Sequence, residues 1–190
     1  RNVETTDTGS IDLSAGEDLT LLGNITVGTH PSADITVAAG HKLTITQDLT
    51  AGGDLSVLAA IDKEDDEPSI IFDSPTDGVL TLSGTNVMLG APDTSVDPPQ
   101  FASIVKMEKA DLVVQATDSF AMGTNHKMVV PASMNITAGN RATLSDIAAE
   151  NIRVEAGTIG FADRIPTPEF MHPADLNVDL VAVTGITLIG

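Results

Sequence analysis

The chain has 190 residues, a net charge of −18 and no Cys, Trp or Tyr. Its length is enough to bury the core of one domain, and without cysteine it can form neither a disulfide nor a thiolate site. The charge argues against binding nucleic acid or anionic lipid, both of which need Lys and Arg, and no apolar run reaches the roughly 18 residues of a membrane span.

A six-residue pattern recurs through the first third of the chain. A polar residue comes first, then Leu or Ile, then Thr or Ser, then another apolar residue, then small residues that often include Gly, as in DLTAGG at 48–53. The alternation of apolar and polar residues is that of a β-strand, and the glycines suit tight corners. The pattern begins at Asp12, Asp18, Asn24, Asp34, Lys42, Asp48 and Asp54.

Taken in threes, these starting points restore a longer period, because Asp12 pairs with Asp34, Asp18 with Lys42, and Asn24 with Asp48. Three short strands for every 22–24 residues predict a parallel β-helix. We expect its turns to stack about 4.8 Å apart, with Leu, Ile and Val inside and Thr and Ser outside. A β-sandwich is the competing fold, but it would need Asn-Gly or Asp-Gly hairpin turns, and only 77–78 has that form.

The pattern weakens after residue 60, although strand candidates continue to the last residue. Three stretches that contain proline interrupt it, and we expect them to loop out because Pro cannot donate a ladder hydrogen bond. These stretches lie near residues 62–68, 91–100 and 164–174. The final stretch reaches Gly190 without a polar cap, so we expect a further coil, from a longer chain or a neighbouring subunit, to cover this end.

The sequence begins with Arg1, and no signal peptide is visible in it. We therefore expect residues 1–190 to be a single β-helix segment that belongs to a longer chain or an assembly.

These repeats resemble the β-helical repeats of filamentous-haemagglutinin-like adhesins, large surface proteins often exported by two-partner secretion. The resemblance is carried by GEDLTLLGNITVG at 16–28, ADITVAAGHKLTITQDLTAGGDLSVLAA at 33–60 and SFAMGTNHKMVVPASMNITAGNRATLSDIAAENIRVEAG at 119–157. It implies a right-handed β-helix that forms an extended rod outside the cell, in adhesion or matrix structure. It brings no catalytic residues, and motifs of the secretion domain are not evident, so an internal rod segment is expected.

The candidate for an ion site is the acidic stretch at 62–67. Its carboxylates suit Ca²⁺, which prefers several such oxygens, but EF-hand spacing is missing and a solvated run of charge is the alternative interpretation. The candidate ligands are Asp62, Glu64, Asp65, Asp66 and Glu67. No other cofactor is expected.

The acidic residues that open the repeats have a structural interpretation. We expect them at corners, where their carboxylates accept backbone N–H groups, with Lys42 and Asn24 separating like charges along the stack. Zinc binding is not expected, because the histidines lack the spacing of zinc ligands. They are His30, His41, His126 and His172.

Two Asn-x-Thr sequons, at Asn24 and Asn135, fit the strand pattern, with Asn simply in place of Asp. They are therefore interpreted as structural.

The sequence thus predicts an all-β, right-handed parallel β-helix of about seven or eight three-strand coils, roughly 30–40 Å long by the strand spacing. We expect a non-enzymatic rod at the cell surface that associates with itself, or stacks end to end with further coils, and contacts a host or matrix surface ligand. One alternative is a β-helix that binds or degrades polysaccharide, since a carboxylate pair can hydrolyse glycosides. The other is a calcium-stabilised surface-layer module.

Overall fold

The structure is a computed structural model that describes residues 3–5, 8–59, 70–73, 78–93, 100–102, 104–107, 111–122, 127–144, 146–161 and 177–188. In these residues the protein is all-β, without a helix, and consists of a 15-stranded sheet and a 2-stranded sheet. The strands up to residue 59 are β1 (Val3–Glu4), β2 (Ile11–Ala15), β3 (Leu19–Leu21), β4 (Ile25–Thr26), β5 (Ile35–Ala39), β6 (Leu43–Ile45), β7 (Leu49–Thr50) and β8 (Leu55–Ala59). The later strands are β9 (Ile70–Phe72), β10 (Val79–Leu89), β11 (Ala91–Asp93), β12 (Gln100–Ala102), β13 (Ile104–Met107), β14 (Asp111–Met122), β15 (Lys127–Leu144), β16 (Asp146–Phe161) and β17 (Asn177–Leu188).

Parallel pairing arranges the large sheet in three ladders, whose successive strand segments we call rungs. Ladder A joins, in register, Ile11, Ile35, Leu55, Val87, Phe120, Ala142, Ile159 and Ile186. Ladder B joins Val3, Ile25, Leu49, Leu82, Val114, Ile136, Val154 and Leu180. Ladder C joins Leu19, Leu43, Ile70, Val105, Met128 and Ile147.

The chain visits the three ladders in turn and returns to each of them at a later stretch of sequence. Such pairing is consistent with a β-solenoid, and it confirms the prediction of an all-β fold with parallel strands. The hairpin connections that an antiparallel β-sandwich requires are not the connections of this sheet.

The core lies along the inward side of the ladders, as the alternation predicts. Leu43, Leu49 and Leu55 are fully buried, and so is Ile35. Each of these positions alternates with a Thr or Ser that is half-buried rather than buried. Leu13 and Leu19, in the first rungs of ladders A and C, are only partly buried against the core.

One predicted corner is wrong. Asp12 lies within β2, in register with Thr36, and its side chain is exposed on the outward face. Asp34 is aligned with Ser10 instead. Because Ile11 and Leu13 both face inward, the alternation of apolar and polar residues is equally compatible with a corner at Ser10 and with a corner at Asp12. The residue that precedes the first inward Ile, rather than the one that follows it, occupies the corner.

The interrupting stretches near 62–68 and 164–174 lie outside the described residues. At 91–100 the two ends form a hairpin, since β11 pairs antiparallel with β12 in the register of Ala91 with Ala102. The residues between these two strands lie outside the described part of the chain.

Later strands are longer than the separate short strands predicted. The strands β14, β15 and β16 contain 12, 18 and 16 residues and pass from one ladder to the next through shifts of register, as between Val130 and Ser133 in β15. In this region each corner is a bend within a continuous strand. The sequence pattern does not distinguish such a bend from a loop between two separate strands.

Candidate functional site

The polar side chains that gather in the described structure lie at the corners of the ladders. Before ladder A, Ser10 Oγ accepts the N–H of Asp34 at 3.1 Å, and Asp34 Oδ1 accepts the N–H of Asp54 at 2.8 Å. Asp54 Oδ1 then accepts an amide N–H of Asn86 at 2.8 Å, and Asn86 Oδ1 accepts the hydroxyl of Ser119 at 2.5 Å. This corner column therefore ties consecutive rungs together by side-chain hydrogen bonds.

The same chemistry recurs before ladder B. Asp48 Oδ1 accepts the N–H of Thr81 at 2.8 Å, and Asp111 Oδ1 accepts the N–H of Ser133 at 3.0 Å. Each carboxylate accepts a backbone N–H group that has no carbonyl partner in the ladder at the turn of the chain. These contacts confirm the prediction of corner acceptors for Asp34 and Asp48, whereas Asp54 accepts a side-chain amide N–H instead.

Asn24 is an exception at the corner before ladder B. Its Oδ1 atom is buried without a hydrogen-bond partner, alone among the side-chain atoms of the described residues, and such an atom lowers stability. The second sequon residue, Asn135, is exposed on the outward face of ladder B. The two sequons thus occupy different environments.

At the corner before ladder C, Asp18 contacts the next rung twice. Its Oδ1 lies 2.7 Å from Nδ1 of His41, and the backbone of Lys42 also hydrogen-bonds the carboxylate. The hydrogen bond from His41 is the main reason why the pKa of Asp18 lies below its ordinary value, and the charges of His41 and Lys42 act in the same direction. The side chains of His41 and Asp18 are 48% and 62% exposed, so water screens the pair.

A second polar contact crosses ladder B on its outward face. Arg153 donates a hydrogen bond to Asp179, its register partner on the following rung. The other terminal nitrogen of its guanidinium, Nη2, lies 3.3 Å from Oε2 of Glu155. All three side chains are about half exposed. An exposed pair of this kind contributes about 1 kcal/mol at most.

The predicted calcium ligands, Asp62, Glu64, Asp65, Asp66 and Glu67, lie outside the described residues, as do His126 and His172. His30 lies apart from His41 in a tight turn, where its Nδ1 accepts the N–H of Ser32 at 3.2 Å. Within the described ranges no group of three or more His, Cys, Asp or Glu side chains is placed to hold a metal ion. No helix in those ranges is long and apolar enough to cross a membrane.

Asn86 and Ser119 belong to the corner column, although the sequence analysis did not single them out. Asn86 lies 32 positions after its partner Asp54, and Ser119 lies 33 positions after its partner Asn86. Both separations are longer than the 22–24 residues of the early period. The available signal was local: Asn86 directly precedes an inward Val, as Asp54 directly precedes an inward Leu.

In the part of the chain that the structure describes, these side chains join successive rungs and accept backbone N–H groups, and the corner carboxylates are spread along the ladders rather than gathered in one groove. Comparison with known proteins found no matching family, no matching curated protein and no matching solved structure.

Proposed function

We propose that the chain is a non-enzymatic rod segment of an extracellular adhesin or filament, of the filamentous-haemagglutinin-like kind. In this proposal the three ladders wind as a right-handed parallel β-helix of about seven or eight coils, roughly 30–40 Å long. The observation that supports it most is the continuity of ladders A and B, which run in register from the first described strands to β17. Such stacking makes a molecule whose length is set by its number of repeats.

The use of the acidic residues supports a structural role. Asp34, Asp48 and Asp111 accept backbone N–H groups of the following rung. A glycosidase needs two carboxyl groups that face one sugar from opposite sides, at separations of about 5–9.5 Å. The corner carboxylates instead accept hydrogen bonds from the backbone of the same chain, which supports a structural role rather than a role in glycoside hydrolysis.

The surface suits a rod that is exposed to solvent. A net charge of −18 keeps a rod soluble and opposes non-specific binding to anionic polymers. The outward face of ladder B carries exposed polar side chains, among them Gln115 and Thr137. We propose that outward faces of this kind contact a host or matrix surface ligand.

Paired cysteines test the stacking of the coils. Thr50 and Ser83 are register partners on neighbouring rungs of ladder B, and a spacing of about 4.8 Å lies within the reach of a disulfide. We expect Thr50→Cys combined with Ser83→Cys to form an internal disulfide under mild oxidation, and Thr50→Cys combined with Gln115→Cys, one rung further along the ladder, to form none. Equal cross-linking of the two pairs would contradict the stack.

Binding and turnover assays test the activity. Beads that carry the folded chain should adhere to extracellular-matrix preparations, whereas beads with the heat-unfolded chain should not. Acidic and neutral polysaccharides should show neither new reducing ends nor unsaturated products after incubation. Product release by the folded chain alone would replace the rod proposal with the polysaccharide alternative.

A melting experiment distinguishes the calcium-stabilised module from the rod proposal. If the carboxylates at 62–67 bind Ca²⁺, the melting temperature rises with millimolar Ca²⁺ more than with Mg²⁺ at the same ionic strength. Asp65→Asn combined with Asp66→Asn should then abolish the difference. Equal curves in the two salts would remove this candidate.

A further inference from the structure

The tripeptide Asn-Ile-Thr occurs twice, at 24–26 and 135–137, and no other Asn of the sequence begins an Asn-x-Ser or Asn-x-Thr sequon. The structural interpretation of these sequons requires an Asn at a corner, in the place of an acidic acceptor. Asn24 lies at a corner, but Asn135 lies further along, within the ladder B part of β15. A different residue, Asp111, is the corner acceptor of that rung. The second sequon therefore lacks the structural role that the pattern suggested.

The polar side chains of the second sequon face solvent on the outward face of ladder B. Asn135 and Thr137 are both exposed, whereas Ile136 between them is 1% exposed and faces the core. Because alternate residues of a strand point to the same side, the amide and the hydroxyl lie together on that face. No side-chain hydrogen bond joins Asn135 to another residue that the structure describes. Both groups of this sequon are therefore accessible.

The neighbouring rungs do not engage this amide. Its register partner on the preceding rung is Val113, whose short apolar side chain offers no hydrogen bond. On the following rung the partner is Arg153, and its guanidinium donates to Asp179 on the rung beyond and contacts Glu155 on its own strand. These two carboxylates hold the guanidinium on the side of Arg153 that faces away from Asn135.

The first sequon has the same residues in a different environment. Oδ1 of Asn24 is buried, and the backbone carbonyl of Asn24 accepts the N–H of Val3 at 3.0 Å. Resonance draws the lone pair of an amide nitrogen towards its carbonyl, so a transferase that turns this nitrogen into a nucleophile has to reach the whole amide group. The buried oxygen prevents this at Asn24.

We propose that Asn135 is a glycosylation site of the folded chain and that Asn24 is not. The co-substrate is a sugar linked through a phosphate group, as in a nucleotide sugar. A bond forms between Nδ2 of Asn135 and the anomeric carbon of the sugar, while the bond from that carbon to the phosphate oxygen breaks. The phosphate group leaves with the electron pair of that bond, and a base of the transferase takes the proton from Nδ2.

A sugar at this position is compatible with the fold. The amide of Asn135 points away from the core, so the added group would project from ladder B without displacing Ile136 or its buried ladder neighbours Val114 and Val154. The modification needs only this face of ladder B, and its absence would leave the rod proposal standing.

Peptide mass mapping of the chain isolated from the cells that make it tests the site. Trypsin releases Asn24 in the peptide 2–42 and Asn135 in the peptide 128–141. We expect sugar mass on the second peptide, localised by fragmentation to Asn135 and not to Asn140, and none on the first. An unmodified peptide 128–141 would overturn the proposal. Equal modification of both peptides would overturn the selection by the fold.

Transfer in vitro separates the effect of the fold from that of the sequon. The folded chain and its isolated tryptic peptides are each incubated with UDP-glucose and a soluble N-glycosyltransferase that accepts Asn-x-Thr. We expect both peptides to gain a hexose, and the folded chain to gain one hexose at Asn135. Transfer to Asn24 in the folded chain, or to neither residue, would overturn the proposal. Failure of the isolated peptide 2–42 to accept a hexose would overturn the role of burial at Asn24.

Substitutions of the sequon threonines provide matched variants. Thr137→Val removes the hydroxyl but keeps a β-branched side chain that suits a strand, and it should abolish the modification of Asn135. Thr137→Ser keeps the hydroxyl and should retain the modification, and so should Thr26→Val in the other sequon. Denaturant titration of each variant checks that it folds. Modification that persists in Thr137→Val, or is lost in Thr26→Val, would overturn the assignment.

Discussion

Residues 8–59 and residues 111–161 build the same three ladders in different ways. In the first region each rung is a separate strand of 2–5 residues, with glycine or an acidic residue at the corners. In the second region β14, β15 and β16 run through the corners as continuous strands with shifts of register. The inward residues are nevertheless of the same kind and equally buried, as Leu49 and Phe120 show.

The difference shows that the six-residue pattern depends on the residues that form the corners. It does not depend on how the strands pair in the ladders. Where a corner is closed by glycine and a carboxylate, the pattern is easy to see. Where a continuous strand bends, only the inward alternation remains, and the pattern fades although the ladder continues.

Core truncation should have the largest effect, and it should be similar in both regions. Phe120→Ala removes a fully buried ring and should lower the free energy of unfolding by about 3–5 kcal/mol, while Leu49→Ala should lower it by about 2–5 kcal/mol. Denaturant titration measures both. Thr137→Ala, on the exposed outward face, should change stability by less than about 0.5 kcal/mol. A much smaller loss for Phe120→Ala than for Leu49→Ala would mean that the second region is loosely packed.

Glycine substitutions at close backbone contacts should rank second. A Cβ at Gly40 would lie 2.0 Å from the carbonyl oxygen of Gly16 on the preceding rung, and a Cβ at Gly139 would lie 2.2 Å from that of Thr117. Backbone must move in both cases, so Gly40→Ala and Gly139→Ala should each cost about 1–3 kcal/mol or more.

Gly16→Ala is the matched control, because a Cβ at Gly16 meets nothing within 4 Å. Its effect on the denaturation midpoint should be small. If Gly139→Ala is as harmless as Gly16→Ala while Gly40→Ala is not, only the first region depends on close approach of the chain at its corners.

The corner carboxylates should have a smaller effect. Asp34→Ala leaves the N–H of Asp54 without its acceptor and should cost about 1 kcal/mol, the usual contribution of one hydrogen bond. Asp34→Asn keeps an oxygen at that position and should cost less. Asp12→Ala, on the outward face of β2, should cost less than about 0.5 kcal/mol. Equal losses for Asp34→Ala and Asp12→Ala would show that the corner bonds do not contribute.

The sequence predicted the short strands of residues 11–59, their parallel pairing and their inward sides, because a period of two is explicit in residues such as Leu43 and Ile45. It misplaced the first corner, since Ile11 and Leu13 are both inward and the alternation does not choose between Ser10 and Asp12. It also missed Asn86, whose partner Asp54 is 32 positions away, because an insertion between rungs changes the period without changing the pairing.

The pH dependence of the Asp18–His41 contact should give the smallest effect. The pKa of Asp18 lies below its ordinary value, chiefly through the hydrogen bond from His41, so the fold favours the ionised carboxylate. The stability that this contact adds is present above the unfolded pKa of an aspartate, about 3.9, and is lost as the pH falls through the lower folded pKa. Both side chains are largely exposed, and the change should therefore be small and should shrink further at high salt.

Titration of the Asp18 carboxyl carbon by NMR measures this shift directly. We expect a midpoint below that of an unstructured aspartate in the parent protein, and a rise of the midpoint towards the ordinary value in His41→Ala, which removes the side-chain donor. His30→Ala is the control, because His30 bonds Ser32 in its own turn, and it should leave the midpoint of Asp18 unchanged. If His41→Ala leaves the midpoint where it was, Lys42 lowers the pKa instead. The corner before ladder C would then work as those before ladders A and B do, through a carboxylate that accepts a backbone N–H of the following rung.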